Sequence, residues 1–247
     1  MTNKLITNHN WGMLKGIPVI NTSALDNPFC LKMSKSGKFV CSYCYSIKTT
    51  IPKSPNNIRC RNSWKRNREL LSKKILKYEE LPMVIRFRQN DKLIPHLVVR
   101  LNSQGELINE THYINFINLC RKNLYTTFVL YTKRVDIISK YGKKEIPKDH
   151  HLYNRLREVD NLVLIYSQPI INKLEDRIPD HFDKVFTVLT KEFSESNNIA
   201  INCIKKCIDC RKCYGKDNGF SKIYDQIKGT KINWKEFDIL LEKHNNS

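Results

Sequence analysis

Residues 96–132, HLVVRLNSQGELINETHYINFINLCRKNLYTTFVLYT, decide the fold. They open on one short β-branched run and close on another. Between the runs, Tyr113, Phe116, Ile117, Cys120 and Leu124 fall at i, i+3, i+4, i+7 and i+11, one face of a helix. Near-continuous apolar runs on either side of a helix read as strands covered on both faces, as in a parallel sheet. On this reading Cys120 packs in the core.

The same rhythm continues outward. NLVLIYS (161–167) and KVFTVLT (184–190) are further buried runs, and GIPVINTS (16–23) is an opening strand. KRVDIISKYGKK after Thr132 makes a second helix, with Gly142 as its stop signal. Earlier, residues 61–80 place Trp64, Leu71, Ile75 and Tyr78 on one stripe of a basic-faced amphipathic helix. NWKEFDILLEK closes the chain as a helix with a capping box at Asn233 and Glu236, and the final KHNNS is a frayed tail. The alternation is βαβα, an α/β class with mostly parallel strands.

The strands end in small polar residues: Asn21, Thr22 and Ser23, then Asn102 and Ser103, then Thr132, Ser167 and Thr190. In parallel α/β folds ligands bind at the carboxyl ends of strands, where such side chains converge into a polar floor. Each residue taken singly is as well explained as a turn former or helix cap.

Composition sets the class of partner. In 247 residues, 40% hydrophobic and 27% charged, there is material for a buried core. Lys and Arg number 43 against 24 acidic residues, a formal +19, and such a field draws polyanions, nucleic acid or nucleotides first. The accompanying Asn and Ile offer a plainer account, the codon signature of an AT-rich genome. No run is apolar and long enough to span a membrane. MTNKLITNHNWG lacks the apolar stretch of a secretory signal, so a cytoplasmic, reducing setting is expected. Nine cysteines there point to metal or redox chemistry rather than disulfides.

The cysteines form two groups. NPFCLKMSKSGKFVCSYCYS (27–46) carries Cys30, Cys41 and Cys44 in the spacing C-x10-C-x2-C. Three thiolates leave one position open on a zinc ion or one iron free on a cubane cluster. Cys60 or His9 stands in reserve as a fourth ligand, although Cys60 reads first as a buried thiol. NCIKKCIDCRKCY (202–214) holds Cys203, Cys207, Cys210 and Cys213 in the spacing C-x3-C-x2-C-x2-C, a compact run that favours [4Fe–4S] over zinc. Lys205, Lys206, Arg211 and Lys212 would offset the thiolate charge.

The Cys41-Ser42-Tyr43-Cys44 ending resembles the last part of the radical S-adenosylmethionine signature, with Gly105 and Glu106 past a strand end in the place of that superfamily's Gly-Gly-Glu-like motif. The first gap of ten residues and Gln104 in place of a glycine depart from that pattern. The chain is more closely similar to the gene product 88 family of phage and bacterial proteins, through Cys30, Cys41, Cys44-Tyr45, VRLNSQGEL, LYTKR and the late cysteine run.

The more distant resemblance implies a partial (β/α) barrel, with a cysteine-rich loop near the N-terminus and a cysteine-rich segment at the C-terminus. The corresponding division is residues 1–200, with the cluster loop at 30–44, and residues 201–247 with the terminal helix. It also implies that S-adenosylmethionine sits on the free iron against Tyr43, Ser103, Gly105, Glu106 and Ser167. The second cluster would then be auxiliary, relaying electrons or binding substrate, and a reductant would supply electrons. The resemblance leaves the substrate unnamed, and the positive charge makes a nucleic acid or nucleotide a reasonable one. The rival expectation is a non-enzymatic basic nucleic-acid-binding protein stapled by zinc or iron–sulfur sites. Lys133 and Arg134 read as a solvated pair, His150-His151 as a loop, and Tyr131 as a core aromatic.

Overall fold

The computed structural model describes residues 5, 8–9, 12–49, 55–89, 92–95, 97–141, 159–216 and 219–245. Gly142, His150 and His151 lie outside the described residues.

Seven strands form the main sheet, in the order β1 (Asn8–His9), β2 (Pro18–Ile20), β5 (Val98–Leu101), β6 (Thr127–Thr132), β7 (Leu162–Ser167), β8 (Lys184–Leu189) and β9 (Lys222–Gln226). β1 is antiparallel to β2, and every later neighbour is parallel. Spatial order follows chain order without reversal. The sheet therefore has no switch-point crevice of the doubly wound kind, and the arrangement is consistent with a (β/α) barrel-like fold. A separate hairpin, β3 (Ile85–Gln89) with β4 (Lys92–Pro95), stands before β5. It has no counterpart in the periodicity of the sequence.

Alternation along β6 explains its two covered faces. Phe128 and Leu130 enter the larger core, which packs the sheet against α3 (Pro55–Lys73), α4 (Glu110–Lys122) and α5 (Val135–Tyr141). Val129 and Tyr131 point the other way, where Val163, Ile165 and Ile223 meet Cys203, Cys213, Tyr214 and Phe220. The cysteine-rich segment thus packs on the face of the sheet opposite α3 and α4, and β9 beyond it completes the parallel array.

α4 forms as its periodicity predicts, with Tyr113, Phe116, Ile117 and Cys120 buried. It ends at Lys122, two residues before Leu124, because Asn123 closes the helix, and Leu124 is exposed. At its start Asn109 Oδ1 accepts from His112 N at 3.0 Å. Asn115 ties α4 to the end of α3, accepting from Leu76 N at 2.8 Å and donating to the Leu71 and Lys74 carbonyls. Of the α3 stripe, Trp64 and Leu71 are buried while Tyr78, past the helix end, is exposed. Cys60 lies exposed on α3, not in the core as its sequence context suggests. Among the described residues no helix is long and apolar enough to cross a membrane.

Candidate functional site

Two loops build the carboxyl end of the sheet, one after β2 and one after β5. Asn21 Oδ1 accepts from Ser103 Oγ at 2.7 Å and from Gln104 N at 3.0 Å. Thr22 Oγ1 donates to Asn102 Oδ1 at 3.1 Å, and Thr22 N donates to the Gln104 carbonyl. The polar floor is only partly satisfied by itself, since Asn21 Nδ2, Asn102 Nδ2 and Gln104 Oε1 are buried without a partner among the described residues. Gly105, at φ +87°, lets the second loop lie directly on the Thr22 backbone. No other residue fits that approach.

Glu106 follows, almost fully buried. Its Oε1 accepts from Thr132 Oγ1 at 2.5 Å and Leu107 N at 2.9 Å, and its Oε2 accepts from Lys133 N at 2.9 Å. The carboxylate thus fastens the end of β6 to the loop after β5. Its own carbonyl accepts from Asn27 Nδ2, and Asn27 Oδ1 caps α1 (Pro28–Lys35) through Phe29 N and Cys30 N. Pro28 at the first helical position suits that start.

The loop from α1 onward roofs this floor. Val40 N donates to the Pro169 carbonyl at 2.8 Å, just past β7, and the 3-10 turn Val40–Tyr43 carries Cys41. α2 (Tyr45–Thr49) returns the chain, with Tyr45 Oη donating to the Ser103 carbonyl at 3.0 Å. The final helix α8 (Trp234–Asn245) braces the outside, its Phe237 buried with Ala24, Leu25 and Ile47, and Cys30 and Cys44 packed against that cluster.

Beneath the roof the buried Lys133 ammonium lies near enough to Glu106 and the three thiols to feel their charge, without an ion pair to the carboxylate among the described residues. Burial alone would lower its pKa, but Cys41 and Glu106, with Cys30 and Cys44, more than offset this and hold it above the usual lysine value. Burial, then the Glu106 charge, pushes the Cys30 thiol well up, and burial raises Cys41 against the pull of Lys133. Lys133 is thus a member of the site, not a solvated residue. Arg134 is turned away, bonded to the Leu107 and Ile108 carbonyls and to Asp136.

The second cysteine group lies nearby across Arg100. The guanidinium carbon sits 3.2 Å from the centroid of the Tyr131 ring. Its charge is felt by Tyr45, Cys207 and Cys213. Among the described residues no carboxylate pairs with Arg100, and its Nε is buried without an acceptor. Tyr131 lies close enough to Cys213 to bear on its thiol, and burial pushes Cys203 up to about 12. Of the remaining expected residues, Tyr43 is half-buried with the Lys231 ammonium 5.9 Å from its ring centroid, and Ser167 is buried at the end of β7.

Neither cysteine group is a metal centre. Among the described residues no group of three or more His, Cys, Asp or Glu side chains is arranged to hold a metal ion, and all nine thiols are free. The physical reason is visible at each group. A metal needs at least three such side chains converging on one point, and among the described residues neither cysteine run supplies that arrangement. The expected [4Fe–4S] clusters, the zinc alternative and the S-adenosylmethionine that free iron would hold are therefore corrected. Both functional readings built on them, the radical enzyme and the metal-stapled binding protein, fall with them.

The same burial predicts a reactivity order. With iodoacetamide at pH 8, exposed Cys60 should alkylate first, and Cys30 and Cys120 at least about tenfold more slowly, because little of either is thiolate. Peptide-resolved mass spectrometry over a time course measures it. Comparable rates at Cys30 and Cys60 would show that the roof is open.

Lys133, Arg100 and Tyr131 are the site residues that spacing underrates. Their one shared signal is position, each standing in or just past a strand that ends at the polar floor. A family model described as Gene product 88 matches residues 4–228, and the chain belongs to that family. No curated protein and no solved structure matches it. Nothing in these comparisons points to the radical S-adenosylmethionine superfamily.

Proposed function

We propose that this member of the Gene product 88 family binds a nucleotide phosphate, free or within a nucleic acid, at the carboxyl end of its sheet. The observation that carries this is Arg100, a half-buried guanidinium with no carboxylate partner among the described residues. An unpaired cation withdrawn from water is costly unless an anion completes it. Guanidinium recognises phosphate through paired N–H donors, and here the group already lies over the Tyr131 ring. Lys133 adds a second positive charge in the neighbouring site.

The remainder of the molecule suits a polyanion. Net charge is +19, and α3 presents Arg59, Arg61, Lys65 and Arg66, none of them in an ion pair among the described residues. Such a face binds backbone phosphates without reading sequence. Arg100 would then engage one phosphate at a defined place, and α3 would hold the flanking strand by charge.

Fluorescence anisotropy with a labelled single-stranded oligonucleotide tests this. Arg100→Met should weaken binding about tenfold or more at 0.15 M salt, as loss of a charged hydrogen-bonded contact does. Its melting temperature should stay level or rise, because the substitution removes an uncompensated charge. Replacing the four α3 cations with Gln should instead reduce the salt dependence. Unchanged binding by Arg100→Met would sink the proposal.

A further inference from the structure

At the opposite end of the sheet, where the strands begin, a cavity of about 230 Å³ opens between the feet of β2 and β5 and the cysteine-rich segment. Ile17, Pro18, Leu97, Val98 and Ile208 form its apolar walls, with Tyr214 and Arg211 completing them. Beside it the apolar surface continues. Leu97 is 65% exposed, and Leu124 and Tyr125, in the turn leading into β6, are 70% and 85% exposed. That turn and the cavity are neighbours, since Thr127 N donates to the Leu97 carbonyl and Thr127 is in register with Val98. A cavity continuous with three large exposed apolar side chains marks an interaction surface rather than scattered surface hydrophobes.

The charges around it select the occupant. Arg211 lines the cavity, and Lys205 and Lys206 in the same segment are exposed, as is Lys15 beside Gly16. Asp209 is the acidic residue among them, and Asp160, farther along this end, lies 3.9 Å from Lys216. A second copy of this chain would bring +19 against +19. A nucleic acid would leave the apolar walls unused.

We infer that this foot is a docking surface for an acidic segment of a partner protein, which places one bulky apolar or aromatic side chain in the cavity. Leu97, Leu124 and Tyr125 cover the anchor's flanks, and Arg211 with the neighbouring lysines meets the carboxylates. The anchor supplies affinity and the charges supply encounter rate and choice of partner. The surface adjoins the phosphate site, since Val98 stands two residues before Arg100 on the same strand and the Arg100 charge is felt by Tyr214 in the cavity wall.

The test uses the full chain and a fluorescein-labelled eight-residue peptide, acidic throughout except for a central Phe, read by anisotropy. Micromolar binding is expected, about tenfold or more weaker for Leu97→Asp and for the peptide with Ala in place of Phe. Leu97 is exposed, so both Leu97→Asp and the uncharged Leu97→Ala should keep the wild-type melting temperature. Leu97→Ala, which places no carboxylate near Arg100, should weaken the peptide while keeping oligonucleotide binding. Equal binding of the Phe and Ala peptides, or no binding at all, would overturn the inference. Displacement of the peptide by oligonucleotide at this surface would reassign it to nucleic acid. Concentration-dependent self-association abolished by Leu97→Asp would reassign it to a second copy.

Discussion

Gly105→Ala is expected to destabilise the chain by about 3 kcal/mol or more, summing left-handed backbone strain and overpacking, and to abolish oligonucleotide binding. At φ +87° an alanine is strained before any contact is counted. Its Cβ would also overlap the carbonyl oxygen and Oγ1 of Thr22 and lie 2.9 Å from the Thr22 carbonyl carbon. Thr22 cannot yield cheaply, because its N donates to the Gln104 carbonyl and its hydroxyl to Asn102. Gly37, at φ +69° with open space around it, is the control, and Gly37→Ala should cost about 1 kcal/mol from strain alone. Urea midpoints of the two variants separate the causes. Equal losses would mean that the two loops do not press together, and that Glu106 is positioned some other way.

The parallel sheet was legible where burial is two-sided. The runs that become β5 to β8 are apolar at consecutive positions because both faces are covered, and that pattern survives without any tertiary information. β9 was not legible. Of KIYDQ only Ile223 is fully buried, and the strand pairs with β8 alone, so its polar residues hide it. The hairpin β3–β4 escaped for a related reason, since its pairing is local and its strands carry Arg, Gln, Lys and Pro.

The candidate site divides in the same way. Polar strand ends are a feature of sequence, and the floor does form from Asn21, Thr22, Asn102 and Ser103. What they bond to is one another, which residue type cannot reveal. Thr190 turns out to be a helix cap, accepting from Phe193 N at 3.2 Å. Cysteine spacing suggested ligation, yet spacing does not tell where a thiol points or whether a lysine ammonium lies beside it. Lys133 becomes a site residue only because the loop carrying Cys30 and Cys41 crosses above β6 and reaches Pro169, a contact about 130 residues away in sequence. Arg100 reads locally as a charged interruption of a strand; its lack of a carboxylate is a property of the assembled face.

Glu106→Ala should remove about 3 kcal/mol or more, since it strips the acceptor from three donors at once: the Thr132 hydroxyl, Leu107 N–H and Lys133 N–H. Glu106→Gln keeps an acceptor and the shape, so it should cost about 1–2 kcal/mol. The charge contributes separately through Lys133, whose folded pKa is raised with Glu106 among the causes. A raised pKa means that this stabilisation is fully present below the unfolded lysine value near 10.4, and that it is lost as pH climbs through the higher folded value. Denaturant midpoints taken from pH 9 to 11.5 should therefore fall more steeply for wild type than for Lys133→Met, in which that titration is absent. In Glu106→Gln the slope should lie between the two, because the carboxylate no longer favours the ammonium and the thiols, with Cys30 and Cys41 held toward the neutral form by burial, do so only as they ionise. Identical alkaline slopes in all three proteins would place Lys133 in solvent and remove it from the site beneath the roof, leaving Arg100 as the site's half-buried cation.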